Sequence, residues 1–99
     1  MIDYPNSQKK YFTKKMPDET VLNITMPKKR LYEEIESIAQ TKDLKMDELY
    51  DIAAKILSNN IAKKTFSAED VDEMYEIDGV ISIVNDYASF VSERLSNPN

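Results

Sequence analysis

Between Thr20 and Thr25 the chain reads TVLNIT, β-branched and alternating, with Leu22 and Ile24 on one side and Val21 and Asn23 on the other. A period of two predicts a short strand, ended by Pro27. One strand cannot stand alone, so it needs a partner, either the segment around Tyr11 and Phe12 or another chain. The period then changes. Leu31, Ile35, Ile38 and Ala39 recur at helical spacing behind Pro27, which suits a first helical position, and predict a helix to about Gln40. Leu44, Leu49, Ile52, Ala53, Ile56 and Leu57 form the apolar face of a second helix, with Asp43 or Asp47 as its cap and an end near Asn59 and Asn60. Ser67 and Asp70 are spaced like a capping box with the shorter acid, and open a short third helix. Asp78-Gly79 is expected to break that helix, because glycine tolerates the left-handed conformation of a helix end. A last helix is expected from about Val80 to Leu95.

On that last helix the apolar residues from Val80 to Leu95 cover roughly 180°, wider than a one-sided surface helix needs. It must pack on two neighbours, either helices one and two or one of them and a partner chain. The expected fold is mainly α, about four helices in a small bundle with a short N-terminal β-strand or hairpin. Residues 1–19 read as a flexible basic arm, and residues 20–96 as the helical domain with its leading strand.

Composition narrows the class. A chain of 99 residues is one domain at most, and its single glycine and four prolines are few for a turn-rich β fold. No apolar run approaches the roughly 20 residues that span a bilayer. The opening MIDYPNSQKK has no apolar segment of the signal-peptide kind, so a cytosolic protein of bacterial or viral origin is the default expectation. The net charge of −5 conceals an asymmetry. Residues 1–30 carry seven basic and three acidic side chains, +4, whereas the other 69 carry six and fifteen, −9. A basic arm therefore precedes an acidic body, and could meet an acidic partner or another copy of the chain. Lys28, Lys29 and Arg30 sit in the first turn of helix one, the wrong sign for the positive end of a helix, at a cost of about 0.3–1 kcal/mol each. A turn that helix stability disfavours is a candidate contact site.

Candidate chemistry is mostly excluded. With Gly79 at the sixth position of a calcium loop, Glu76 and Asp78 fall at the third and fifth. Met74 and Asn85 then occupy the first and twelfth positions, where acids belong, so the segment reads as a hinge between helices. There is no histidine and no cysteine, hence no imidazole base, thiolate nucleophile or N/S metal site. One glycine cannot build a phosphate-cradling loop. No enzyme activity, cofactor or metal is expected. KKYFTKK and PKKR interleave basic and aromatic residues, but an acidic body with a pI of about 4.7 would repel a phosphate backbone, so nucleic-acid binding is disfavoured.

Two stretches carry a family resemblance. VLNITMPKKRLYEEI (residues 21–35) runs from a strand through Met-Pro-Lys-Lys into a helix. FSAEDVDEMYEIDGVISIVNDYASFV (residues 66–91) starts an acidic helix at Phe66-Ser67 and turns at Asp78-Gly79 into the last helix. Their order resembles the small tail assembly chaperones of long-tailed phages and prophages of Gram-positive bacteria, over about residues 20–95. The resemblance implies a non-catalytic protein that binds the tape measure protein, keeps its helical segments soluble and delivers tail tube subunits, and it narrows the location to the cytoplasm of a bacterial host. It also implies that this chain is the shorter of two frameshift products, with residues 95–99 preceding the extension. A chaperone for helices needs an apolar groove rimmed by charge. The candidate contact residues are Tyr11, Phe12, Lys28, Lys29 and Arg30, with Tyr87, Phe90 and Val91 for the groove. Met26, Met46 and Met74 read as core or turn residues. The competing class is a small acidic regulator or DNA mimic that binds a DNA-transacting protein. An exposed apolar groove on the last two helices would favour the chaperone, and a carboxylate array spaced like phosphates would favour the regulator.

Overall fold

Leu22 and Ile24 are buried while Val21 faces outward, as alternation along a half-buried strand requires. The computed structural model describes residues 10–40, 43 and 45–96. It contains two strands, β1 (Phe12–Lys15) and β2 (Val21–Ile24), and four helices, α1 (Lys29–Gln40), α2 (Met46–Ser58), α3 (Ala68–Met74) and α4 (Ile77–Ser96). The fold is mainly α with an N-terminal antiparallel hairpin. The strand's partner is the chain's own segment beside Tyr11, with Phe12 opposite Ile24 and Lys15 opposite Val21. Residues 12–15, within the expected arm, are thus part of the folded unit, and Met16 behind them joins the core. Residues 1–9 lie outside the described residues. The hairpin turn places Glu19 at φ 73°, a left-handed position that L residues rarely adopt. Asp18 supports the turn by accepting from the Thr20 amide at 3.0 Å and the Thr20 hydroxyl at 2.6 Å. The Thr20 hydroxyl bond holds the Asp18 carboxyl below its ordinary pKa.

α2 is the hub: α1, α3, α4 and β2 all pack on it. Its residues Leu49, Ile52, Ala53, Ala54, Ile56 and Leu57 are buried, a face wide enough to serve several neighbours. The α1 register agrees with the periodicity at Ile35, which is buried, and at Leu31 and Ile38, which pack against the core, whereas Ala39 is exposed. Helix α1 begins two residues after Pro27, and its first bond runs from the Tyr32 amide to the Lys28 carbonyl at 3.0 Å. α2 is capped neither by Asp43 nor by Asp47. Lys45 precedes it without a side-chain cap bond, and Asp47 lies inside the first turn, where its charge faces the positive end of the helix. Leu44 lies outside the described residues.

The capping box of α3 forms as read: Ser67 Oγ accepts from the Asp70 amide at 3.1 Å, and Asp70 Oδ2 accepts from the Ser67 amide at 2.9 Å. The break after α3 lies elsewhere than expected. It falls at Tyr75 and Glu76, both extended or non-helical, and Asp78 and Gly79 belong to the first turn of α4. Gly79 has no positive φ. Its place is instead one of proximity, because a Cβ there would stand 3.4 Å from Tyr75 Cβ and Cδ1.

One polar clamp locks the crossing of three elements. Asn59, just past α2, donates from Nδ2 to the Thr25 carbonyl at 3.1 Å and to the Met26 carbonyl at 3.2 Å. The Tyr87 hydroxyl of α4 donates to the same Thr25 carbonyl at 2.6 Å. Burial pushes the Tyr87 phenol up to about 12.

Candidate docking surface

The aromatic residues singled out in the sequence do come together. Phe12 meets Tyr87 edge-on at 5.6 Å between ring centroids, and Phe90 lies 5.8 Å from Phe12 and 6.0 Å from Tyr87. The three rings pack on one another, as the quadrupoles of aromatic rings favour. Tyr87 is 0% exposed and Val91 2%. These two side chains hold the hairpin and α1 against α4, so the face they form is spent on internal packing. Tyr11, Phe12 and Phe90 still line a cleft with Asp86 and Arg94. Val91 forms part of the floor of another cleft, between α1 and α4, beside Tyr32 and Leu95.

A more open apolar groove lies elsewhere. Met46 begins α2 and Ile77 begins α4, and they remain 44% and 54% exposed. Each continues the apolar stripe of its helix: Met46 stands seven residues before Ala53, and Ile77 seven before Val84. Both stripes run one turn past the core. The overrun ends meet across Tyr50 and Ala68 in a shallow groove of about 720 Å³ where α2, α3 and α4 converge. Asp47, Glu48 and Asp51 of α2 and Glu69 and Asp72 of α3 complete its lining. Met46 is thus a groove residue rather than a core residue. Met26 and Met74 do pack against the core.

A second groove continues from the first, sharing Asp51 and Ala68, and reaches Lys28, Leu31, Ser58 and Phe66. Lys55 stands in it, bonded to Glu34 at 2.7 Å and Asp51 at 3.1 Å. The Glu34 bond, ahead of the Asp51 bond, raises the Lys55 pKa. Of the basic triplet, Lys28 therefore adjoins the trough along α2. Lys29 pairs with Glu33 at 4.0 Å in solvent, and Arg30 is exposed. The acid four residues after Arg30, Glu34, is engaged by Lys55 instead.

Comparison with family models, curated proteins and solved structures returns no match for this chain. The arrangement itself defines what the surface can do. No group of three or more metal-ligating side chains that could hold an ion occurs among the described residues. No described helix is long and apolar enough to cross a membrane. An open apolar floor with a charged rim is suited to an amphipathic segment laid in it.

The sequence reading missed Met46, Tyr50, Ala68 and Ile77. Breaking the third helix at Asp78-Gly79 and starting the last at Val80 put Ile77 at the end of the third helix, whereas it opens α4. The signal available was the heptad offset from Val84, which extends the stripe backwards by two turns.

Proposed function

We propose that this chain is a non-enzymatic phage tail assembly chaperone, which binds the tape measure protein, keeps its helical segments soluble and assists tail tube assembly in the cytoplasm of the host. The sequence pattern of residues 21–35 and 66–91 supports the family. The single observation that supports the activity is the exposed apolar groove where α3 and α4 meet α2, with Met46 and Ile77 open to a partner. Such a groove would take the apolar stripe of a helix and keep it from aggregating. Catalysis, nucleic acid and membrane play no part in this role, and self-association of the free chain is compatible with it.

The five groove carboxylates give the competing reading, an acidic regulator of a DNA-transacting protein, its one supporting observation. Affinity purification of the tagged chain during phage production separates the two. Recovery of a very long helical protein, lost on Ile77→Asp substitution, is the expected result. Recovery of replication or transcription proteins, unaffected by Ile77→Asp, would overturn it.

A further inference from the structure

We infer that the groove between α2, α3 and α4 selects its partner by charge, accepting an amphipathic helix whose apolar stripe is flanked by lysine and arginine. The inference rests on the reading of this groove as a helix-docking surface, and adds the chemistry of the occupant. The rim is made of Asp47, Glu48, Asp51, Glu69 and Asp72. Acids near helix starts have a local use, since they offset the positive helix end, but that effect fades within the first turn. Asp47, Glu48 and Glu69 lie in first turns. Asp51 is the sixth residue of α2 and Asp72 the fifth of α3, beyond that range. Only Asp51 has a cation, Lys55 at 3.1 Å, among the described residues. The other four carboxylates form no ion pair within 4.0 Å among those residues.

Around an apolar floor, four carboxylates without an ion pair among the described residues repel an acidic helix face and attract a basic one over a Debye length of about 8 Å. The floor itself runs from Met46 through Tyr50 and Ala68 to Ile77, a surface that anchors at i, i+3, i+4 and i+7 of about two helical turns would cover. The apolar part supplies the affinity and the rim decides which helix is admitted.

Two designed amphipathic peptides of about 15 residues, long enough to form helix, test this. They share one apolar stripe and differ only in a polar face of lysine or of glutamate. The full chain is expected to bind the lysine peptide at least about tenfold more tightly, and to lose about tenfold between about 50 and 500 mM salt. The quadruple variant Asp47→Asn, Glu48→Gln, Glu69→Gln, Asp72→Asn should lose that preference and its salt dependence. Melting temperature verifies that it folds, and the single variants Glu48→Gln and Asp72→Asn give graded losses if it does not. Ile77→Ala should weaken binding at every salt concentration. Equal binding of both peptides, binding of neither, or an unaltered quadruple variant would overturn the inference. So would self-association that the same four substitutions abolish, which would assign the groove to a second copy. Recovery of the long helical protein with the quadruple variant at wild-type yield would leave the chaperone role standing without charge selection. Charge-selective peptide binding without that recovery would do the reverse.

Discussion

Two apolar surfaces of this domain meet opposite fates. At the hairpin, Phe12, Tyr87 and Phe90 close on one another, and Tyr87 adds a hydrogen bond to Thr25 that seats its hydroxyl in the interior. At the groove, Met46 and Ile77 extend stripes that no described residue fully covers. The difference lies in position along the helices. Residues in the middle of α4 find α2 and β1 within reach, whereas Met46 and Ile77, the opening residues of their helices, stay open one turn before the buried Leu49 and Val80. An apolar residue at a helix end is available to a partner because the chain has run out of its own surface to offer.

The comparison breaks most visibly at Tyr87. Tyr87→Ala should destabilise the fold by about 3–5 kcal/mol, a large share of the roughly 5–15 kcal/mol that holds a domain together. Ile77→Ala should change stability by less than about 1 kcal/mol while reducing peptide binding about tenfold. Denaturant melts and titration of the lysine peptide on both variants read the two effects separately. If Ile77→Ala unfolds the chain as Tyr87→Ala does, the groove is core and the contrast fails.

A finer cut removes only the hydroxyl. Tyr87→Phe should cost about 1 kcal/mol at neutral pH, with Asn59 still bonded to the Thr25 carbonyl. The phenol has a folded pKa near 12, above its unfolded value of about 10. The folded state therefore keeps its proton longer than the unfolded state. Stability from this group is complete below pH about 10 and falls by about 1.4 kcal/mol per pH unit as pH rises from 10 to 12. Melts between pH 9 and pH 12 should show that slope reduced in Tyr87→Phe.

The smallest effect concerns the hinge. Because Gly79 is helical and a Cβ there meets Tyr75 at ordinary contact distance, Gly79→Ala should be neutral or stabilising by up to about 1 kcal/mol. A loss of more than about 1 kcal/mol would restore the left-handed break that Asp78-Gly79 suggests.

These cases show what the sequence made legible. The capping box of α3 could be read because all its partners lie within four residues. The buried faces of α2 and the middle of α4 could be read because a helical period needs no knowledge of the neighbour. The hairpin was legible as one of two options, since an unpaired strand must find an edge but does not name it. Gly79 misled because its type fits a helix end, while the actual break falls at Tyr75, in extended geometry, and Glu76, outside both helices. The site was legible only in outline. Periodicity shows that Tyr87 and Val91 are apolar positions of one helix; it does not show where α2 stops covering that helix, and the expected break at Asp78-Gly79 set Ile77 apart from it. That boundary is a property of three helices together.

The Asn59 clamp has a consequence for how the chain is made. It joins Thr25 to a residue 34 positions later, and then to Tyr87, 62 positions from Thr25. A ribosome that has released the hairpin, α1 and α2 has not yet supplied the hydroxyl that completes the crossing, nor the helix that covers the hub. Nascent chains ending before α4 are expected to be cut readily by protease, and full-length chains to become resistant in a single step. Until α4 is in place, the apolar face of α2 lacks one of its covers and the crossing lacks its third member.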